Sequence, residues 1–197
     1  MTADLLLALC LFAAATLFTP GPNNLMLMAS GANFGLRRTL PHLTGVALGF
    51  PLMILPVGLG VMEVFDRWPP AYTILKVASV VYLLWLARKI ATAAPPADAP
   101  TDARPLSFLQ AAGFQWVNPK AWSMALGAIT LYAASRDLTS ILWIAGTFAT
   151  LGTVSALTWV TLGTGLKRLL AAPGRLRRFN RVMAVLLVAS MLPVLVG

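Results

Sequence analysis

Apolar residues fall into six long segments along the chain, separated by shorter stretches that contain most of the charged residues and many prolines. Lys76 is the only charged residue within these segments. A helix needs about 20 predominantly apolar residues to cross the hydrocarbon core of a bilayer. The pattern predicts an all-α integral membrane protein with six transmembrane helices, or five if the short last segment does not span. The segments are Leu5–Phe18, Leu43–Met62, Tyr72–Leu86, Ala121–Ala134, Ile141–Leu166 and Val182–Val196.

The first span has the length of a bilayer only if it continues through a polar interruption, Thr19-Pro20-Gly21-Pro22-Asn23-Asn24. Proline has no backbone N–H and clashes with the carbonyl one turn earlier, so the helix must break there. Inside a membrane such a break is tolerated only where it is buried in protein or lines a polar cavity. A substrate site is one interpretation of the motif, and a purely structural kink is the other.

A second interruption, Asn118-Pro119-Lys120, follows Gln115 at the corresponding place in the second half of the chain. Proline disfavours helical dihedrals at the preceding residue, so we expect the fourth span to be broken at Asn118. A lysine within a span is costly and by default indicates a functional site. Lys120 either faces a substrate or extends to the cytoplasmic interface.

The first break alone offers both kinds of group that recognise a zwitterion. A helix that restarts after a break presents unpaired N–H groups, which bind carboxylates. The carbonyl groups released at the end of the preceding helix accept hydrogen bonds from an ammonium group. Paired interruptions of this kind mark substrate sites in transporters. The candidate substrate-binding residues are Pro20, Gly21, Pro22, Asn23, Asn24, Gln115, Asn118, Pro119 and Lys120.

The net charge of +9 is distributed as a topology signal, not as a nucleic-acid surface. Most Lys and Arg residues lie after the first, third and fifth segments, including Arg37, Arg38 and the basic stretch 167–181. By the positive-inside rule these loops are cytoplasmic and both termini lie outside. We expect the stretch 167–181 to contact anionic lipid headgroups. No Lys or Arg precedes Leu5, so we expect the first segment to be a retained span and not a cleaved signal peptide.

The stretch Thr92–Pro105 is rich in proline and alanine, which predicts a cytoplasmic linker. It separates two repeats, residues 1–91 and 106–197. Each repeat is expected to contain three spans, so the second enters the membrane from the opposite side. This arrangement predicts a 3+3 inverted-topology repeat in which helices 1 and 4 are broken. Both second helices are rich in glycine, and Gly45 and Gly49 suit close helix packing.

Catalytic and metal-binding groups are scarce. No carboxylate lies within a predicted span, and His42 and Cys10 are the only His and Cys residues. The sequence therefore predicts no enzyme, no cofactor and no metal site, and it has no phosphate-binding Gly-Lys-Ser/Thr loop for ATP. His42 is a possible proton-coupling group, although a lone histidine at the membrane interface is the more common situation.

Three stretches give the chain a family resemblance: Thr19-Pro20-Gly21-Pro22-Asn23, then Gly35-Leu36-Arg37-Arg38 leading to Gly45 and Gly49, and Asn118-Pro119-Lys120-Ala121. With these motifs the chain resembles the lysine exporter (LysE-type) superfamily, most closely its homoserine/threonine-efflux branch, over essentially its whole length. The stretch Pro41-His42 departs from the small residues usual in that family before the second span.

The resemblance implies a multi-pass protein of the bacterial inner membrane that exports amino acids or related small zwitterions, driven by the proton gradient. It places both break motifs on the substrate pathway. The alternatives are a metal-cation exporter of the same superfamily and a non-transporting membrane scaffold or accessory subunit. The identity of the amino acid, the coupling ion and a possible homo-oligomer stay open.

Overall fold

The computed structural model describes residues 1–61, 63–93, 103–133 and 137–190, and helices are the only regular secondary structure in these ranges. The all-α prediction is therefore confirmed for the described chain. Met62, Ala134, residues 94–102 of the predicted linker and residues 191–196 of the last apolar segment lie outside the described residues. The helices are α1 (Ala3–Phe18), α2 (Pro22–Phe34), α3 (Leu36–Pro56, continued as a π-helical turn Val57–Val61), α4 (Glu63–Arg67), α5 (Pro70–Ala91), α6 (Phe108–Phe114, followed by the 3-10 turn Gln115–Val117), α7 (Pro119–Tyr132), α8 (Leu138–Leu166) and α9 (Pro173–Ala189).

Three helices in the described residues are long and apolar enough to cross a membrane: α3 with its π turn, α5 and α8. A fourth candidate is the pair α1 and α2, which are bent by 55° about their break. Large apolar side chains such as Leu7, Leu11 and Val185 point outward and are more than half exposed. Such an extensive apolar surface suits lipid and not water.

The ends of the long helices differ from the ends of the apolar segments. Helix α3 begins at Leu36, ahead of the predicted start at Leu43, and includes the polar turn Arg37-Arg38-Thr39. Helix α5 likewise begins at Pro70 and runs to Ala91. Hydropathy marks the part of a helix that lies in hydrocarbon, whereas backbone hydrogen bonding continues until a residue such as Gly35, with φ of 78°, ends it.

Both interruptions restart a helix in the same way. Thr19 and Gly21 are extended, and α2 begins with Pro22 as its first residue. Asn118 is extended as well, and α7 begins with Pro119. Proline suits the first position of a helix because its missing N–H has no acceptor there and its φ is already helical. The residues that end one helix therefore also fix where the next begins.

Glycines bring the central helices into close contact. A Cβ on Gly31 of α2 would overlap the carbonyl of Val160, and one on Gly163 of α8 would overlap the carbonyl of Met28. On α3, a Cβ on Gly45 would lie 2.5 Å from the carbonyl oxygen of Phe108 in α6. The packing interpretation of the glycines in the second helix of each half therefore holds for Gly45 and Gly163.

The crossing of α2 and α8 gives a first prediction. Gly163→Ala is expected to push the two helices apart, and overpacking of this kind costs about 1–3 kcal/mol. We expect the melting temperature in detergent to fall by several degrees. Gly165→Ala is the matched control, because no atom lies within 4 Å of a Cβ at that position. Equal melting temperatures for the two variants would contradict the close crossing.

Candidate functional site

The two interruptions meet at one cavity in the centre of the bundle, here called the central cavity. Its volume is about 40 Å³, which admits water but is far below the roughly 300–1,000 Å³ of ligand sites. Residues of α1, both breaks, α3, α7 and α8 line it, and its wall combines amide, hydroxyl and ammonium groups with aromatic rings. They are Thr16, Leu17, Gly21, Asn23, Asn24, Val46, Ala47, Phe50, Pro51, Gln115, Asn118, Lys120, Ala121, Met124, Phe148, Gly152, Ser155 and Ala156.

A reciprocal pair of amide hydrogen bonds joins the two breaks. Asn23 Nδ2 donates to Gln115 Oε1 at 2.9 Å, and Gln115 Nε2 donates to Asn23 Oδ1 at 3.2 Å. Gln115 is fully buried, and its Nε2 also donates to the carbonyl of Ala111 at 2.8 Å. The pair fixes the start of α2 against the end of α6.

The carbonyl groups released at the end of α1 are bound by side chains. Asn24 Nδ2 donates to the carbonyl oxygens of Leu17 and Thr19, at 2.7 and 2.8 Å. Ser155 Oγ of α8 donates to the same Leu17 carbonyl at 2.8 Å. An unpaired carbonyl inside a bilayer costs several kcal/mol, so these bonds stabilise the break.

Lys120 reaches from the first turn of α7 to the first break. Its Nζ donates to the carbonyl oxygen of Thr19 at 2.9 Å and to Thr19 Oγ1 at 2.8 Å. A Cβ on Gly21 would lie only 2.8 Å from Lys120 Cδ, so the glycine leaves room for this side chain. The ammonium group of Lys120 thus lies between the two breaks, on the wall of the central cavity.

The two helix N-termini at the cavity differ in their capping. Asn118 Oδ1 accepts a hydrogen bond from the backbone N–H of Lys120 and so caps α7. No side chain caps α2, whose N-cap residue is Gly21. Its first backbone hydrogen bond runs from Leu25 N–H to the Gly21 carbonyl. The N–H groups of Asn23 and Asn24 precede that bond, so the positive end of the α2 dipole lies beside the ammonium group of Lys120.

Six of the nine predicted substrate-binding residues line the central cavity: Gly21, Asn23, Asn24, Gln115, Asn118 and Lys120. Pro20, Pro22 and Pro119 are not in its wall, and they set the ends of the helices instead. The sequence reasoning missed the contributions of α3 and α8. On α8 the cavity residues Phe148, Gly152 and Ser155 recur at helical spacing, and a serine within an apolar span was the available signal.

His42 lies outside the central cavity. Because α3 begins at Leu36, His42 sits within the helix and is buried, not at its start. Its Nδ1 lies 3.0 Å from Ser30 Oγ of α2, and its Nε2 has no hydrogen-bond partner in the described part of the chain. The described residues contain no cluster of three or more His, Cys, Asp or Glu residues suited to a metal ion.

The apolar outer surface, the long apolar helices and the polar cavity between interrupted helices define a helical membrane protein. The chain belongs to the LysE type translocator family, whose model matches residues 14–196. The family resemblance inferred from the break motifs is thereby confirmed. Proteins of this family are transporters and not enzymes.

Similar proteins cover nearly the whole chain. The cysteine/O-acetylserine efflux protein of Escherichia coli strain K12 is 33% identical over 193 residues, which are 95% of this chain and 96% of that protein. The proteins of the same name from Escherichia coli O9:H4 and Shigella sonnei show the same identity and coverage. No solved structure matches the chain.

Proposed function

We propose that this protein exports small amino acids and related zwitterions from the cytoplasm across the bacterial inner membrane. The observation that carries the proposal is the uncapped N-terminus of α2 beside the ammonium group of Lys120 in a cavity between two interrupted helices. The names of the similar efflux proteins support the same substrate class. A metal-cation cargo is less well supported, because carbonyl, amide and ammonium groups dominate the polar wall of the cavity.

Substrate recognition uses both signs of charge at the first break. The substrate carboxylate binds the N–H groups of Asn23 and Asn24 and the ammonium group of Lys120. The substrate ammonium binds the carbonyl oxygen of Thr19, which Lys120 contacts in this structure. Binding is therefore an exchange in which Lys120 turns from the Thr19 carbonyl to the substrate carboxylate.

The six-span inverted repeat remains part of the proposal. Each half presents an interrupted helix pair, then a long glycine-bearing helix, then a third helix: α1–α2, α3 and α5, followed by α6–α7, α8 and α9. The equivalent helices α3 and α8 pack against each other, as do α5 and α9, and these contacts are compatible with an internal two-fold axis. The central cavity is too small for an amino acid, so transport requires one repeat to rock against the other.

The proposed topology follows the positive charges. Arg37, Arg38 and the stretch 167–181 lie on the cytoplasmic side, where the basic stretch contacts anionic lipid, and both termini lie outside. The proton gradient drives export, and His42 is the candidate proton carrier because it is buried and its Nε2 has no described partner. The protein as proposed works as a monomer or as a homo-oligomer, since all the residues of the central cavity come from one chain.

Transport into inside-out membrane vesicles tests this proposal. The cytoplasmic face is then outward, so export appears as uptake of labelled cysteine, O-acetylserine, homoserine or threonine. We expect saturable uptake that zwitterionic amino acids inhibit and that an uncoupler abolishes. Vesicles without the protein supply the background. Uptake of divalent cations in place of amino acids would favour the metal exporter, and no uptake of either would favour a scaffold.

A further inference from the structure

A second cavity lies on the side of the bundle where α2 ends and α3 begins. It has a volume of about 450 Å³ and is bounded by α2, α3, the last turns of α5 and residues 103–106. That volume falls within the range of small-molecule sites, roughly 300–1,000 Å³. Unlike the central cavity, this space accommodates a complete amino acid in the observed conformation.

The wall of the second cavity carries two positive side chains, Lys89 and Arg104. Among the described residues neither is paired with a carboxylate, and the ammonium group of Lys89 lies over the ring of Trp85, 5.1 Å from its centroid. Arg38 Nη2 donates to the carbonyl oxygen of Ala103 at 2.6 Å and so holds the edge of the cavity in place. The net positive wall suits an anionic group such as a carboxylate.

Other residues of this wall match the remainder of a small amino acid. Ser30 and Asn33 of α2 supply oxygen atoms that can accept a further hydrogen bond, since both N–H groups of Asn33 already donate to Ala29 and Asn180. Leu86 and Ile90 of α5 supply an apolar surface. Asn33 is held by a reciprocal amide pair with Asn180 of α9, at 2.9 and 3.1 Å. The polar groups are therefore fixed in position before any ligand arrives, which lowers the entropic cost of binding.

The second cavity ends about one helical turn from the central cavity. On α3, His42 lines the second cavity and Val46 lines the central one, and four residues span about 6 Å along a helix. On α2, Asn24 lines the central cavity and Met26, two residues further on, lines the second cavity. A thin partition, one turn of α3 and less than one turn of α2, separates the two cavities.

We infer that the second cavity is a cytoplasmic vestibule in which a zwitterionic substrate binds before it enters the central cavity. This inference rests on the proposed export function and on the proposed topology, and it adds a separate binding step. Lys89 and Arg104 draw the substrate carboxylate in, and the substrate then moves past the hydrogen-bonded pair Ser30–His42 toward Asn23. The partition around Met26 and Val46 opens when the repeats rock.

Kinetics in inside-out vesicles test the vestibule. Lys89→Gln and Arg104→Gln are expected to raise the apparent KM for uptake about two- to fivefold each, with the maximal rate unchanged. Lys89→Arg should have the same KM as the unmodified protein, because it keeps the positive charge. Arg88→Gln is the matched control, because Arg88 is exposed, carries the same charge one residue away and does not line the cavity. Uptake with an unchanged KM in both vestibule variants overturns the inference and leaves the proposed function standing.

Cysteine labelling gives an independent readout of occupancy. In a Cys10→Ser background, Ile90→Cys places a thiol on the vestibule wall, and Ala91→Cys places one beside it but outside the wall. An anionic methanethiosulfonate reagent added from the cytoplasmic face should label Ile90→Cys faster than Ala91→Cys. A substrate without a thiol, such as O-acetylserine, should slow the labelling of Ile90→Cys and leave that of Ala91→Cys unchanged. Labelling slowed by anionic lipid and not by substrate would identify a lipid site and overturn the vestibule. Absence of uptake by the unmodified protein would overturn the proposed function itself.

Discussion

Lys120→Met is expected to weaken substrate binding during export roughly 10- to 100-fold while the protein stays folded. A hydrogen bond to a charged group contributes about 1.5–3 kcal/mol, and each 1.4 kcal/mol is tenfold in affinity. The methionine removes the charge that pairs with the substrate carboxylate. The Thr19 carbonyl keeps its hydrogen bond from Asn24, so the break itself remains satisfied. Uptake into inside-out vesicles as a function of substrate concentration measures the effect.

Lys76→Met is the control for this result. Lys76 lies on α5 within a predicted span, but it does not line the central cavity. Its replacement removes the same charge from a membrane helix and should leave export unchanged. Equal losses of substrate affinity in the two variants would show that any positive charge on a membrane helix affects export, and that the position of Lys120 is not special. Retained affinity in Lys120→Met would remove Lys120 from the substrate site.

The positions of both breaks follow from local chemistry, which is why the sequence predicts them. Pro22 and Pro119 cannot continue a preceding helix, but each can begin a new one. The extended residues Gly21 and Asn118 precede them in the structure. Rules of this kind act within one turn of helix, so a single sequence is sufficient to apply them.

The partners of the polar groups in the breaks depend on tertiary structure, and the sequence does not predict them. Asn23 and Gln115 are paired across 92 positions of the chain, and Ser155 contacts Leu17 across 138 positions. The hydrogen bonds from Asn24 to the carbonyl oxygens of Leu17 and Thr19 also depend on how the chain turns back at the break, which the sequence alone does not specify. Helix ends such as Leu36 are missed because apolar periodicity reports burial in lipid and not backbone hydrogen bonding.

The carbonyl groups at the first break are already hydrogen-bonded within the protein. A break with unsatisfied carbonyls would bind an ammonium group without competition. Here Asn24 and Lys120 already bind the Thr19 carbonyl, and the central cavity is no larger than about 40 Å³. A substrate that binds as proposed therefore displaces protein contacts of similar chemistry.

The amide pair between Asn23 and Gln115 should be the strongest structural link between the breaks. Gln115→Leu leaves the amide of Asn23 without its partner, at a cost of about 1–3 kcal/mol. Export should fall as well, since the start of α2 is no longer held at the cavity. In the double variant Asn23→Leu/Gln115→Leu no orphaned amide remains, so the melting temperature should partly recover. Export should not recover, because the wall of the cavity has lost both amides.

Asn180→Leu separates stability from transport in this experiment. Asn180 forms a reciprocal amide pair with Asn33 that resembles the pair at the breaks, and it lies outside both cavities. Its replacement should lower the melting temperature by a similar amount and preserve most of the maximal export rate per folded molecule, although the KM should rise because Asn33 lines the vestibule. If export in the double variant recovers together with the melting temperature, the pair between Asn23 and Gln115 serves the fold alone. If export stays low while stability returns, the two amides act on the transported molecule, and the two breaks form a single site.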